Sequence, residues 1–234
     1  MSKLLIIVIL ISSMFILQGC VPELKNDSNV EEKNMTSLEE QLFKAVEDRD
    51  NESIQIWIQA GAHINAQDEN GRTAAMMATY NNDLASAKIL IEAGADVNVQ
   101  DDMKNNPFLY AGAEGYLDIL KLTIEAGADP AITNRYGGTA LIPASEHGYV
   151  EVVRELLTQT SVNVDHVNQL GWTALLEAII LNDGNAQQQE TIQLLIEHGA
   201  DVNITDRDGV SPLSHAKKRG FKEIEDILVR AGAQ

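Results

Sequence analysis

The chain has 234 residues and sets 17 Lys and Arg against 35 Asp and Glu, a formal net charge of -18. No stretch gathers the basic excess that a phosphate-backbone binder needs to release counterions, so nucleic acid is not an expected partner. Hydrophobic residues make up 44% and prolines number five, the balance of a helix-rich globular chain rather than of a disordered acidic one. One cysteine excludes an intramolecular disulfide, a CxxC redox pair and a thiolate metal cluster.

Met1 to Lys3 is a short positive start, and Leu4 to Leu17 runs apolar without a charge. Fourteen helical residues cover roughly 21 Å, short of the ~30 Å hydrocarbon core, so a signal segment is preferred to a spanning helix. Leu17-Gln18-Gly19-Cys20 resembles the lipobox of bacterial lipoproteins. That resemblance implies acylation of Cys20 and cleavage just before it, with residues 1–19 as signal peptide. Two or more acyl chains hold a protein on a lipid bilayer where one does not. Removal of residues 1–19 takes away Lys3 and no acid, so -18 becomes -19 on the mature chain. The expected location is extracytoplasmic: the outer membrane facing the periplasm in a host with two membranes, otherwise the outer face of the cell membrane. Residues 20–37 comprise the lipidated cysteine and a polar, acidic tether, VPELKNDSNVEEKNMTS, with a reach of roughly 20 to 25 Å.

Residues 38–234 are self-similar. Gly-Ala pairs stand at Gly61, Gly94, Gly127, Gly199 and Gly232, with the first two intervals and the last at 33 residues. An apolar cluster precedes each pair, and a polar turn follows it. Short segments ending in Ala come next, such as Thr73 to Ala78, Asn106 to Ala111, Thr139 to Ala144, Thr173 to Ala178 and Ser211 to Ala216. This pattern resembles the ankyrin repeat, T-P-L-H-x-A followed by a second helix and G-A-D-V-N, with Glu40 to Ala45 as a degenerate first copy. The strings GGTALIPA, HVNQLGWTALLEAI, ILNDG and DRDGVSPLSHAKKRGF look like one bacterial subfamily of small ankyrin-repeat proteins. The implied fold is an all-α ankyrin-repeat solenoid of about six helix-turn-helix units joined by β-hairpin turns. Thr or Ser is expected to cap the first helix of each unit, Ala to sit where helices come close, and Gly to end the second helix at positive φ. Units of this kind bury their apolar faces only by stacking.

Two repeats depart from the pattern. In the fourth, Thr160-Ser161 replaces Gly-Ala and the spacing from Thr139 to Thr173 is 34, so the second helix gains a residue and loses its glycine. In the fifth, Thr173 to Ser211 is 38, an insertion around Asn182 to Gln189 expected as a mobile loop between the two helices.

No catalytic constellation interrupts the repeats. The histidines, His63, His147, His166, His198 and His215, form no HExxH or HxH pair; hydrogen bonding on the surface or between repeats accounts for them, least readily for His166. Carboxylates spread along helix faces and turns read as solvated. The expectation is therefore a non-catalytic module with no cofactor and no metal. Ankyrin stacks recognise protein partners with hairpin tips and the exposed face of the first helix. Read at those positions, Met103, Tyr110, Arg135, Tyr136, Leu170 and Trp172 form the expected partner-binding set, with aromatic and Met anchors on an acidic surface. Filling between hairpins is an alternative role for Leu170 and Trp172. The acidic rim favours a partner with a basic patch. An alternative function is an immunity or protective protein that neutralises an envelope toxin or supports an envelope enzyme.

Overall fold

The computed structural model describes residues 37–234. The expected signal peptide, Cys20 and nearly all of the tether lie outside the described residues. Twelve helices follow one another in pairs: α1 (Ser37–Glu47) with α2 (Asn51–Gln59), α3 (Ala74–Tyr80) with α4 (Leu84–Glu92), α5 (Pro107–Glu114) with α6 (Leu117–Glu125), α7 (Leu141–Glu146) with α8 (Val150–Gln159), α9 (Ala174–Ile180) with α10 (Ala186–Glu197), and α11 (Pro212–Arg219) with α12 (Lys222–Arg230). No strand occurs among the described residues, and none of their helices is long and apolar enough to cross a membrane. The odd-numbered helices pack on one another as an inner row and the even-numbered ones as an outer row. One continuous apolar core runs between the rows, through Leu42, Ile54, Leu90, Phe108, Leu120, Leu156, Leu195 and Leu228. The alanines expected at close helix approaches, Ala45, Ala78, Ala111, Ala144, Ala178 and Ala216, are all buried.

Side-chain caps open four of the inner helices, three of them with the Thr or Ser that the sequence predicts and one with Asn. Thr73, Thr173 and Ser211 accept from the N–H three residues on, at 3.2, 3.2 and 3.3 Å, and Asn106 does the same at 2.8 Å. Thr139 does not, and Pro143 explains why. In the other repeats the residue four on from the cap donates its N–H to the cap's carbonyl: Met77 to Thr73, Tyr110 to Asn106, Glu177 to Thr173 and His215 to Ser211. Pro143 has no N–H to give. Ile142 N–H therefore turns to the Thr139 carbonyl at 3.2 Å, and the buried Thr139 Oγ1 is left without a partner. Helix α7 is correspondingly only six residues long. Pro143→Ala should restore both bonds, worth about 1 kcal/mol each, against a loss of about 0.4 to 1 kcal/mol from the looser unfolded chain. A net gain of about 1 kcal/mol in urea unfolding is the expected result, and an unchanged midpoint would contradict this account of Thr139.

The fourth repeat behaves as its sequence predicts. Helix α8 has ten residues against nine in α4 and α6, and Thr160 closes it in an extended conformation. The fifth corrects the sequence reading, because the insertion is not all loop. Only residues 181–185 lie between the helices; Asn185 accepts from Gln188 N–H at 3.1 Å and opens α10, so Ala186 to Gln189 form its first turn. The loop is also tied to both neighbours. Asn182 Nδ2 donates to the Glu146 carbonyl, as Gln188 Nε2 does at 2.9 Å, and Arg219 donates to the Asn182 carbonyl. Gly184, at φ 74°, lies so close to the Phe221 ring that a Cβ there would stand 2.9 Å from it.

Candidate functional site

The turns between repeats share one construction, and this construction aims the tip residues. Each begins with Asp68, Asp101, Asn134, Asn168 or Asp206, whose side-chain oxygen accepts from the N–H groups two and four residues on. At Asp101 both bonds, from Met103 and Asn105, are 2.9 Å; at Asn168 they come from Leu170 at 2.9 Å and Trp172 at 3.1 Å. Such side-chain mimicry of a backbone turn is what Asp and Asn supply. Successive tips are then joined. Gln67 Nε2 reaches the Gly71 and Gln100 carbonyls at 2.6 and 3.3 Å, and Gln100 Nε2 reaches those of Lys104 and Thr133 at 2.6 and 2.9 Å. His166 Nε2 reaches back instead, lying 2.7 Å from the Gly137 carbonyl oxygen of the preceding tip, so this histidine is also a bridge between tips.

Tips and inner helices of the third to fifth repeats enclose a concave cavity of about 410 Å³. Five of the six residues expected at the partner surface line it: Met103, Tyr110, Arg135, Tyr136 and Leu170. Three form its open rim, Met103 being 48%, Tyr136 54% and Leu170 52% exposed. The Arg135 guanidinium lies 4.8 Å from the centre of the Tyr136 ring and donates to the Met103 sulfur at 3.5 Å, so rim residues of two successive tips hold one another. Tyr110, half-buried, is fixed edge-on between Tyr80 and Tyr116, with ring centres 4.4 and 6.2 Å away. Tyr80 donates to Asp101 at 2.5 Å. Burial, and then this bond, push its hydroxyl pKa up to about 12. Burial and the nearby Glu114 raise Tyr110 in the same direction. Trp172, half-buried, does not line the cavity.

The sequence reading missed the floor of the cavity. Glu177, on α9, is 5% exposed and accepts from Asn168 Nδ2 at 2.6 Å. Its carboxyl pKa is raised from 4.5 to about 7, by burial first and by the nearby Glu146 second, against the opposing bond from Asn168. Half-buried Glu146 and exposed Glu114 complete a graded row of three carboxylates along the inner helices. A signal for Glu177 exists in the repeat register. The turn-opening residue and the fifth residue of the T-P-L-H-x-A segment are nine apart, as in Asn168 and Glu177, and as in Asp206 and His215, which meet at 2.7 Å. Among the described residues no group of three or more His, Cys, Asp or Glu side chains is arranged to hold a metal ion.

Comparison with known proteins agrees with this architecture. The family described as ankyrin repeats in three copies matches residues 42–134 and 108–206. A crystal structure of an ankyrin repeat domain from Acinetobacter baumannii AYE is 52% identical with a TM-score of 0.81, covering 82% of this chain and 98% of that one. The ankyrin repeat protein EF0377 is 38% identical with a TM-score of 0.79, at the same coverage. Among curated proteins, YahD of Escherichia coli K12 is 54% identical over 81 residues, 35% of this chain and 40% of YahD. Mouse protein phosphatase 1 regulatory subunit 27 is 33% identical over 81 residues, 35% of this chain and 49% of that protein. The matched stretch thus spans less than half of either curated relative. Six stacked helix pairs among the described residues, the family match over most of those residues and the likeness to solved ankyrin-repeat structures lead to one conclusion: the chain belongs to the ankyrin-repeat family.

Proposed function

We propose that this chain is a non-catalytic interaction module that binds a protein partner through the concave face of its middle repeats. Ankyrin-repeat proteins generally bind proteins and are generally not catalysts, and the name of the mouse relative marks it as a regulatory subunit of a phosphatase. The observation that carries the reading is the convergence of Met103, Tyr110, Arg135, Tyr136 and Leu170 on one cavity. Aromatic and Arg anchors around a concave centre are what binding hot spots are built from. The test is affinity capture from host extract with wild type and with Tyr136→Ala/Leu170→Ala, two exposed positions whose truncation leaves the core intact. Loss of tenfold or more of a captured protein is expected, because a hot-spot residue contributes about 2 kcal/mol or more; equal recovery would contradict the reading.

The module is displayed, in this proposal, on the extracytoplasmic side of a bacterial membrane through acylated Cys20. The LQGC sequence after an uncharged apolar run supports it. Metabolic labelling with an alkyne fatty acid should mark the wild-type chain and leave Cys20→Ser unmarked; equal labelling of both would contradict the anchor.

A further inference from the structure

Resting on the interaction reading, we propose that the cavity between the third and fifth repeats is a socket for one basic side chain, Lys or Arg, presented by the protein partner. The shape of the site selects this class. Its mouth is apolar and aromatic at Met103, Tyr136 and Leu170, and its depth is anionic, ending at Glu177, which is 5% exposed. A side chain with an apolar stem and a cationic head matches that order of surfaces, since Lys and Arg lay their methylenes on apolar groups while the head seeks charge or water. The charge in the site is unbalanced. Three carboxylates, Glu114, Glu146 and Glu177, face a single cation, Arg135. Arg135 does not neutralise them, because its guanidinium is engaged by Tyr136 and Met103 at the rim. Among the described residues none of the three carboxylates has a cation within ion-pair distance. Glu177 is instead held by the neutral amide of Asn168. A buried carboxylate without a counter-charge is costly, and an incoming ammonium or guanidinium supplies the missing partner. Tyr136 adds an aromatic face at the entrance, which favours cations over neutral groups of the same shape.

The probes are blocked single residues, acetyl-lysine amide and acetyl-arginine amide, with acetyl-norleucine amide as the neutral control and putrescine as a free dication. Each is titrated at pH 8 into isotopically labelled full chain in detergent, and backbone amide shifts are followed. Saturable shifts confined to the inner helices and tips around Glu146 and Glu177 are expected for the two cationic amides, at least tenfold tighter than for norleucine. Glu146→Gln/Glu177→Gln, which keeps an oxygen for the Asn168 bond, should abolish that preference while its circular dichroism stays that of wild type. Equal response to norleucine, shifts scattered over the acidic surface, or undiminished binding by the double variant would each overturn the proposal. Tighter binding of putrescine than of both amides would overturn the assignment to a partner's side chain. These outcomes are separate from capture by Tyr136→Ala/Leu170→Ala: partner loss there with no cation preference here sinks the socket alone, and a cation preference without partner loss sinks the interaction reading.

Discussion

Phe108→Ala should destabilise the protein by about 3 to 5 kcal/mol and break its unfolding into two steps. Among the described residues Phe108 is the largest of the fully buried side chains, 0% exposed, and sits on α5 in the third of their six helix pairs. Its ring belongs to the core shared by α5, the outer helices and the neighbouring pairs. Truncation removes apolar area and leaves a cavity that the helices, held on both sides, close only in part. A stacked-repeat protein is stabilised by neighbour interfaces in series, so weakening an interior unit also uncouples the repeats on either side. Urea unfolding followed by circular dichroism and by Trp fluorescence reports both effects, because Trp57 lies on α2 in the first helix pair and Trp172 in the turn leading into α9 of the fifth, on opposite sides of that break. The expected result is a wild type whose two probes coincide and a variant whose probes separate. A loss below about 1 kcal/mol with coincident probes would contradict the placement of Phe108 at the centre of one continuous core.

Glu177→Gln should raise stability at pH 8 by up to about 3 kcal/mol and change it little at pH 5. The Glu177 carboxyl has a folded pKa of about 7 against an ordinary 4.5, a difference worth about 1.4 kcal/mol per unit. The folded state therefore holds a proton that the unfolded chain releases. That contribution is fully present below pH 4.5, declines as pH rises between the two values and is gone above about 7. Gln has no charge to desolvate, and its amide oxygen still accepts from Asn168. For a chain of this size the gain at pH 8 corresponds to several degrees in Tm. Measuring both proteins at both pH values removes the general effect of lowering a large negative charge, which they share. An equal difference at pH 5 and pH 8, or a loss at pH 8, would show that Glu177 is not the strained carboxylate described above.

Most of the scaffold was legible because its signals recur. The Gly-Ala pairs and the Ala that ends each inner-helix segment are set by close packing, and packing repeats wherever the unit repeats. Local departures were legible only where they changed length, as at Thr160. Pro143 was visible as a residue but not as the cause of an orphaned cap at Thr139, because that effect depends on which N–H would have met which carbonyl. The position of the insertion is legible in the repeat spacing but its structure is not, since Asn185 turns half of it into helix. At the site, Met103, Tyr136 and Leu170 could be found because apolar side chains at turn tips have no packing duty. Glu177 could not, because a carboxylate on a helix reads as solvated until the helix row is built and the face is known to be inward. Its low exposure is a tertiary fact that only the nine-residue relation to Asn168 hints at.

The energetic reading of Glu177 and the binding reading of the cavity support each other. A carboxylate that costs stability in the free protein is retained where a ligand can satisfy it, and functional sites are where such local costs accumulate. The neighbouring loss of a helix cap at Thr139, next to the cavity-lining Pro143, is a second cost at the same place.

The claim that partners dock on the concave face is tested most directly by site-specific photo-crosslinking in the host. A benzophenone amino acid is placed at Tyr136, at Leu170, or at Lys88 on the outer helix α4, and intact cells are irradiated. Adducts with a protein partner at positions 136 and 170, and none at 88, are the predicted result; adducts only at 88, or none at 136 and 170, would contradict it.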